Sequence, residues 1–88
     1  MQDALVSRAE TYAANLADAL AAKGMTRQEL QNELAKLGVR VSEQAVGAWL
    51  RAEYSPRPTH QAAIARVLEI PVHLLFPVTF DPELEGAA

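Results

Sequence analysis

The chain has 88 residues, half of them hydrophobic, with no cysteine and a formal net charge of −3. These values exclude a disordered chain, a disulfide scaffold and a thiolate metal site, and they fit one domain with a modest core. The absence of any apolar run of about 18 residues, and the polar start MQDALVSRAE, exclude a membrane span and a signal peptide, so a cytoplasmic location is expected.

Alanine and leucine dominate and β-branched residues are few, which predicts an all-α fold. A first helix is predicted from Asp3 to Lys23, with Leu5, Ala9, Tyr12, Leu16 and Leu20 on one stripe. Asp3 is its expected N-cap, and Gly24 stands where a left-handed residue would end it. The segment MTRQELQNELAKLG predicts a second helix. Thr26 and Glu29 form its capping box, Leu30, Leu34 and Leu37 its buried stripe, and Gly38 its end. VRV then leads to Ser42, the expected N-cap of a third helix ending near Arg51, with Ala45, Val46, Trp49 and Leu50 inward.

AEYSPRP reads as a loop because of Pro56 and Pro58. Thr59 is the expected cap of a fourth helix, HQAAIARVLE, with Ile64, Val67 and Leu68 inward. Pro71 suits the first turn of a short fifth helix, VHLLF, closed by Pro77. Residues 78–88 read as an acidic tail and a candidate dimer contact, in which Val78 and Phe80 alternate as in a short strand. The expected domain is residues 1–77.

Charge is unevenly distributed along these elements. Residues 1–22 carry Arg8 against Asp3, Glu10 and Asp18. Residues 67–88 carry only Glu69, Asp81, Glu83 and Glu85. The middle, residues 23–66, is basic at +3, with Lys23, Arg27, Lys36, Arg40, Arg51, Arg57 and Arg66 against Glu29, Glu33, Glu43 and Glu53. A basic centre points to a polyanion, although the net −3 predicts weak non-specific affinity.

The order of elements, with Thr26, Arg27 and Leu30 opening the second helix and Val41, Ser42, Val46 and Trp49 in the third, resembles the Cro/C1-type helix-turn-helix family of phage and bacterial repressors. The resemblance spans about Leu16 to Phe76. It implies a five-helix, lambda-repressor-like DNA-binding domain whose third helix reads the major groove. Three departures stand out: a lengthened turn, LAKLGVRVS; Gln31 in place of an alanine; and Ala52 in place of a turn glycine. An alanine there predicts a loop that avoids the left-handed conformation.

On that scheme Ser42 caps the reading helix and offers its backbone amides to a phosphate. Glu43 accepts from cytosine, Gln44 bonds adenine, and Arg51 reaches guanine or phosphate. Gly47 and Ala48, small and outward, let the backbone sit deep, and Ala48 touches a thymine methyl. Arg27, Arg40, Arg57 and His60 are the candidate phosphate contacts, which set register without reading sequence. Each has a plainer alternative: Glu43 as a charge favourable at a helix start, Arg51 as a solvated helix end, His60 as a surface residue. Trp49 is expected in the core and His73 in no functional role.

The expected function is a double-stranded-DNA-binding transcriptional repressor acting as a homodimer on a palindromic operator. No cofactor, metal or small-molecule ligand is expected. An enzyme is not expected, because His60 and His73 have no adjacent carboxylate cluster and no nucleophile–base pair is legible. The alternative is a protein-interaction module on the same scaffold, antitoxin-like or anti-repressor-like, supported by the net negative charge, the acidic tail, Glu43 on the reading face and the lengthened turn.

Overall fold

Local signals set most of the helix ends. The computed structural model describes residues 8–77. In them α1 spans Arg8–Lys23, α2 Arg27–Lys36, α3 Glu43–Leu50, α4 Pro58–Leu68 and α5 Val72–Leu75, with no strand among the described residues. The fold is all-α with five helices, as expected. Asp3, Leu5 and Val6, and the Val78–Phe80 segment, lie outside the described residues. No helix among the described residues is long and apolar enough to cross a membrane.

The capping box of α2 forms in full: Thr26 Oγ1 accepts from Glu29 N at 3.0 Å, and Glu29 Oε1 accepts from Thr26 N at 2.8 Å. Ser42 caps α3, its Oγ accepting from Ala45 N at 3.0 Å. At α4 the cap is Arg57, not Thr59, and Pro58 takes the first helical position. There its missing N–H costs nothing and its fixed φ is already helical.

The first four helices end alike, each with one left-handed residue and a pair of bonds running back into the last turn. Gly24 and Gly38 take that place with φ of 66° and 85°. Ala52 and Glu69 take it without glycine, at φ of 62° and 59°. The expectation that Ala52 avoids this conformation is corrected. Ala52 N donates to Trp49 O at 3.2 Å and Glu53 N to Ala48 O at 2.9 Å, so two otherwise orphaned carbonyls hold the residue there.

The core gathers the inward stripes. Tyr12, Leu16 and Leu20 of α1 meet Leu30 and Leu34 of α2, Val46 and Trp49 of α3, Ile64 and Leu68 of α4, and Leu75 and Phe76. Leu37, expected in the α2 stripe, is 42% exposed. It is the C-cap of α2, where the chain already turns away from the helical period. Ala45, Leu50 and Val67 are only partly buried. The end of α5 is fastened to α1: Asn15 Nδ2 donates to Leu75 O at 2.9 Å, Tyr12 Oη to Pro77 O at 3.0 Å, and the Tyr12 and Phe76 rings meet edge to face at 5.1 Å.

Six residues, Leu37–Ser42, separate α2 from α3. Gln31, one of the departures noted above, spans this connection: its Nε2 donates to Val41 O at 3.0 Å. The longer turn thus has its own tie to α2, which an alanine could not supply.

Candidate nucleic-acid interface

α3 packs on α1 and α2 through Val46 and Trp49, so its other side faces outward. Residues Gln44, Gly47, Ala48 and Arg51 are spaced to share one face of a helix. Ser42, Glu43, Gln44 and Arg51 are exposed. At the start of α3 the Ser42 hydroxyl takes the Ala45 amide, and helix geometry leaves the Glu43 and Gln44 amides without intrahelical acceptors.

The expectation that Gly47 and Ala48 stand outward and accessible is corrected, because both are buried. Gly47 lies under two guanidinium groups. A Cβ built on it would sit 2.8 Å from Arg51 Nη1 and 3.0 Å from Arg27 Nη1. Ala48 is 6% exposed, at the floor of a depression shared with Trp49, Tyr54, Arg57 and His60. A methyl so covered has no surface to offer a thymine. The small residues on α3 serve close approach by the protein's own side chains.

Two depressions therefore flank α3. One is lined by Arg27, Glu43, Gln44 and Arg51, the other by Ala45, Ala48, Trp49, Tyr54, Ser55, Arg57 and His60. The first brings together four of the residues singled out from the sequence. The second brings together Ala48, Arg57 and His60. Arg40 is exposed in the α2–α3 connection and lines neither. His60 is half-buried, its ring centroid 5.8 Å from that of Trp49, so it is in part a core-facing residue.

One exposed ion pair involves a residue of the first depression. Arg51 Nε donates to Glu53 Oε2 at 3.0 Å and Nη2 to Oε1 at 3.3 Å. The hydrogen bond and the adjacent opposite charge raise the Arg51 pKa and hold the Glu53 carboxyl below the ordinary carboxylate range. Side chains two apart on a helix do not face each other. The left-handed Ala52 between them turns the chain and lets them meet. Glu53 was missed by sequence reasoning for that reason. Tyr54, 70% exposed at the rim of the second depression, was also missed, although a large aromatic beside Pro56 in a loop was a visible signal.

A family model described as the C-terminal domain of the DISARM protein DrmE matches residues 3–86. The chain belongs to that family. No curated protein and no solved structure matches it. Membership in the DrmE C-terminal domain family overturns the resemblance to Cro/C1-type repressors. The residues that carried the resemblance explain the error. Thr26 and Ser42 are helix caps, and Leu30, Val46 and Trp49 are core. Any small helical domain with these helix starts and this core needs such residues, so they speak to packing and not to descent.

Proposed function

We propose that this domain binds double-stranded DNA, with α3 entering the major groove by its N-terminal end. Ser42, Glu43 and Gln44 then face the base edges, while Arg27, Arg51, Arg40, Arg57 and His60 surround them as phosphate contacts. The observation that carries the reading is the convergence of Arg27 and Arg51 beside Glu43 and Gln44, on the side of α3 away from the core. A helix start with two amides free of intrahelical acceptors, and Arg27 and Arg51 lining the depression beside it, suits a polyanion. The basic segment 23–66 supports it, and the acidic ends oppose unspecific adhesion. The proposal is for binding alone, as a homodimer that doubles the few base pairs one helix can read. Regulation of transcription rested on the overturned resemblance and forms no part of it.

The second reading, a protein-interaction module, has one observation in its favour. Leu74 is 60% and Val72 41% exposed on α5, remote in sequence from Arg27 and Arg51. Salt separates the two readings. DNA affinity falls steeply as salt rises because phosphate contacts release counterions, whereas an apolar contact changes little. Selection from random duplexes followed by anisotropy titration should recover a consensus bound in a salt-dependent way. Recovery of no duplex above background would refute the DNA reading.

A further inference from the structure

We propose that Arg27 and Arg51 close on a single DNA backbone phosphate, seated over Gly47, as one two-armed grip. The inference rests on the DNA-binding reading and assigns to it a shared contact point.

The two side chains come from different elements, the first position of α2 and the C-cap of α3. Their Nη1 atoms nevertheless converge above Gly47, at 2.8 Å for Arg51 and 3.0 Å for Arg27 from where a Cβ would stand, closer than van der Waals contact allows. Glu53 occupies the Nε and Nη2 edge of Arg51. That leaves Nη1 directed at the glycine and fixes the plane of the guanidinium. Arg27 is in no ion pair among the described residues. It also stands at the positive end of the α2 dipole, where a cation is unfavourable. Glu53 offsets the charge of Arg51, and Glu43 lines the same depression, so the uncompensated cation here is Arg27, and an anion held by both guanidinium groups would offset it. Guanidinium forks match phosphate oxygens, and two forks can share the oxygens of one group.

Gly47 is the second half of the design. Glycine is a poor choice for the middle of a helix. Here any larger residue would drive its Cβ into both arginines at once. The clash is with the ends of flexible side chains, so Gly47→Ala should keep the fold and disperse the grip. Helical content from circular dichroism checks that it does.

The test counts phosphates. Each phosphate neutralised contributes a slope of about −0.9 to log K against log salt on duplex DNA. Wild type, Arg27→Ala, Arg51→Ala, the double variant and Gly47→Ala are titrated with one fluorescent duplex over a salt series. A shared phosphate predicts that the slope shrinks by about 0.9 in the double variant, no more than the larger single loss. Gly47→Ala, with both charges kept, should move the slope in the same direction. A double variant that loses about twice that amount means two separate phosphates and overturns the grip while leaving DNA binding intact. A Gly47→Ala protein that is folded and has the wild-type slope overturns it as well. If Gly47→Ala loses its helix content, the arginine series alone decides. Wild type without salt-dependent duplex binding overturns the DNA reading and this proposal together.

Discussion

Ala52 carries a backbone cost that a single substitution can remove. Its φ of 62° lies in the left-handed region, where the Cβ of an L-residue crowds the following carbonyl. That crowding costs about 1–2 kcal/mol. Ala52→Gly relieves it, while glycine's extra freedom in the unfolded chain returns about 0.4–1 kcal/mol of the gain. The net expectation is a stabilisation of about 0.5–1 kcal/mol. In a domain of this size 1 kcal/mol moves the melting temperature by about 4–8 °C, so a rise of about 2–8 °C is expected. Thermal melts followed at the helical circular dichroism band, with urea titration beside them, read it directly. Ala35→Gly, at an exposed position inside α2, is the control and should lose about 0.5–1 kcal/mol. Equal losses for Ala52→Gly and Ala35→Gly would refute the left-handed closure of α3. Ala52→Val makes the opposite prediction, because a β-branched side chain tolerates positive φ least.

Trp49→Ala should cost about 3–5 kcal/mol, enough to unfold much of a domain this small, as read by urea titration; a folded variant that had lost only DNA binding would make Trp49 a contact residue. Gln44→Ala should cost about 1–3 kcal/mol on the best selected duplex and relax preference at one base position, as read by competition among single-base variants. Gln31→Ala leaves the Val41 carbonyl without its side-chain donor and should cost about 0.5–1.5 kcal/mol, with faster hydrogen exchange in the α2–α3 connection as the local readout. Because the Glu53 carboxyl is depressed in the folded state, its tie to Arg51 is fully present above the ordinary carboxylate range and is lost as pH falls through the depressed value. The Arg51 Nε–H resonance should therefore hold steady down to the ordinary Glu pKa of about 4.3 and move only below it; movement at higher pH would contradict the pairing.

Sequence alone determined what depends on neighbours within one helical turn. Thr26 with Glu29, and Ser42 with the amide three residues on, form caps as soon as the chain enters a helix. Leu16, Leu20, Leu30 and Leu34 reveal their buried faces by spacing, and Gly24 and Gly38 announce left-handed ends. Five helices were legible for these reasons, and so was the exposure of Glu43, Gln44 and Arg51. Family descent was not legible, because caps and core leucines are common to many small helical domains. Tertiary structure decided everything that turns on distant partners. Gly47 is buried because Arg27, twenty residues earlier, lays its side chain over α3 together with Arg51. Ala48 and His60, twelve residues apart, line one depression with Trp49, and the His60 ring packs beside the indole. Ala52 adopts a conformation its side chain disfavours because two bonds into the last turn of α3 outweigh the strain, and only that turn sets Glu53 against Arg51. Helical periodicity says which side of α3 faces the core; which long side chains then cover the other side is settled by how α2 crosses it.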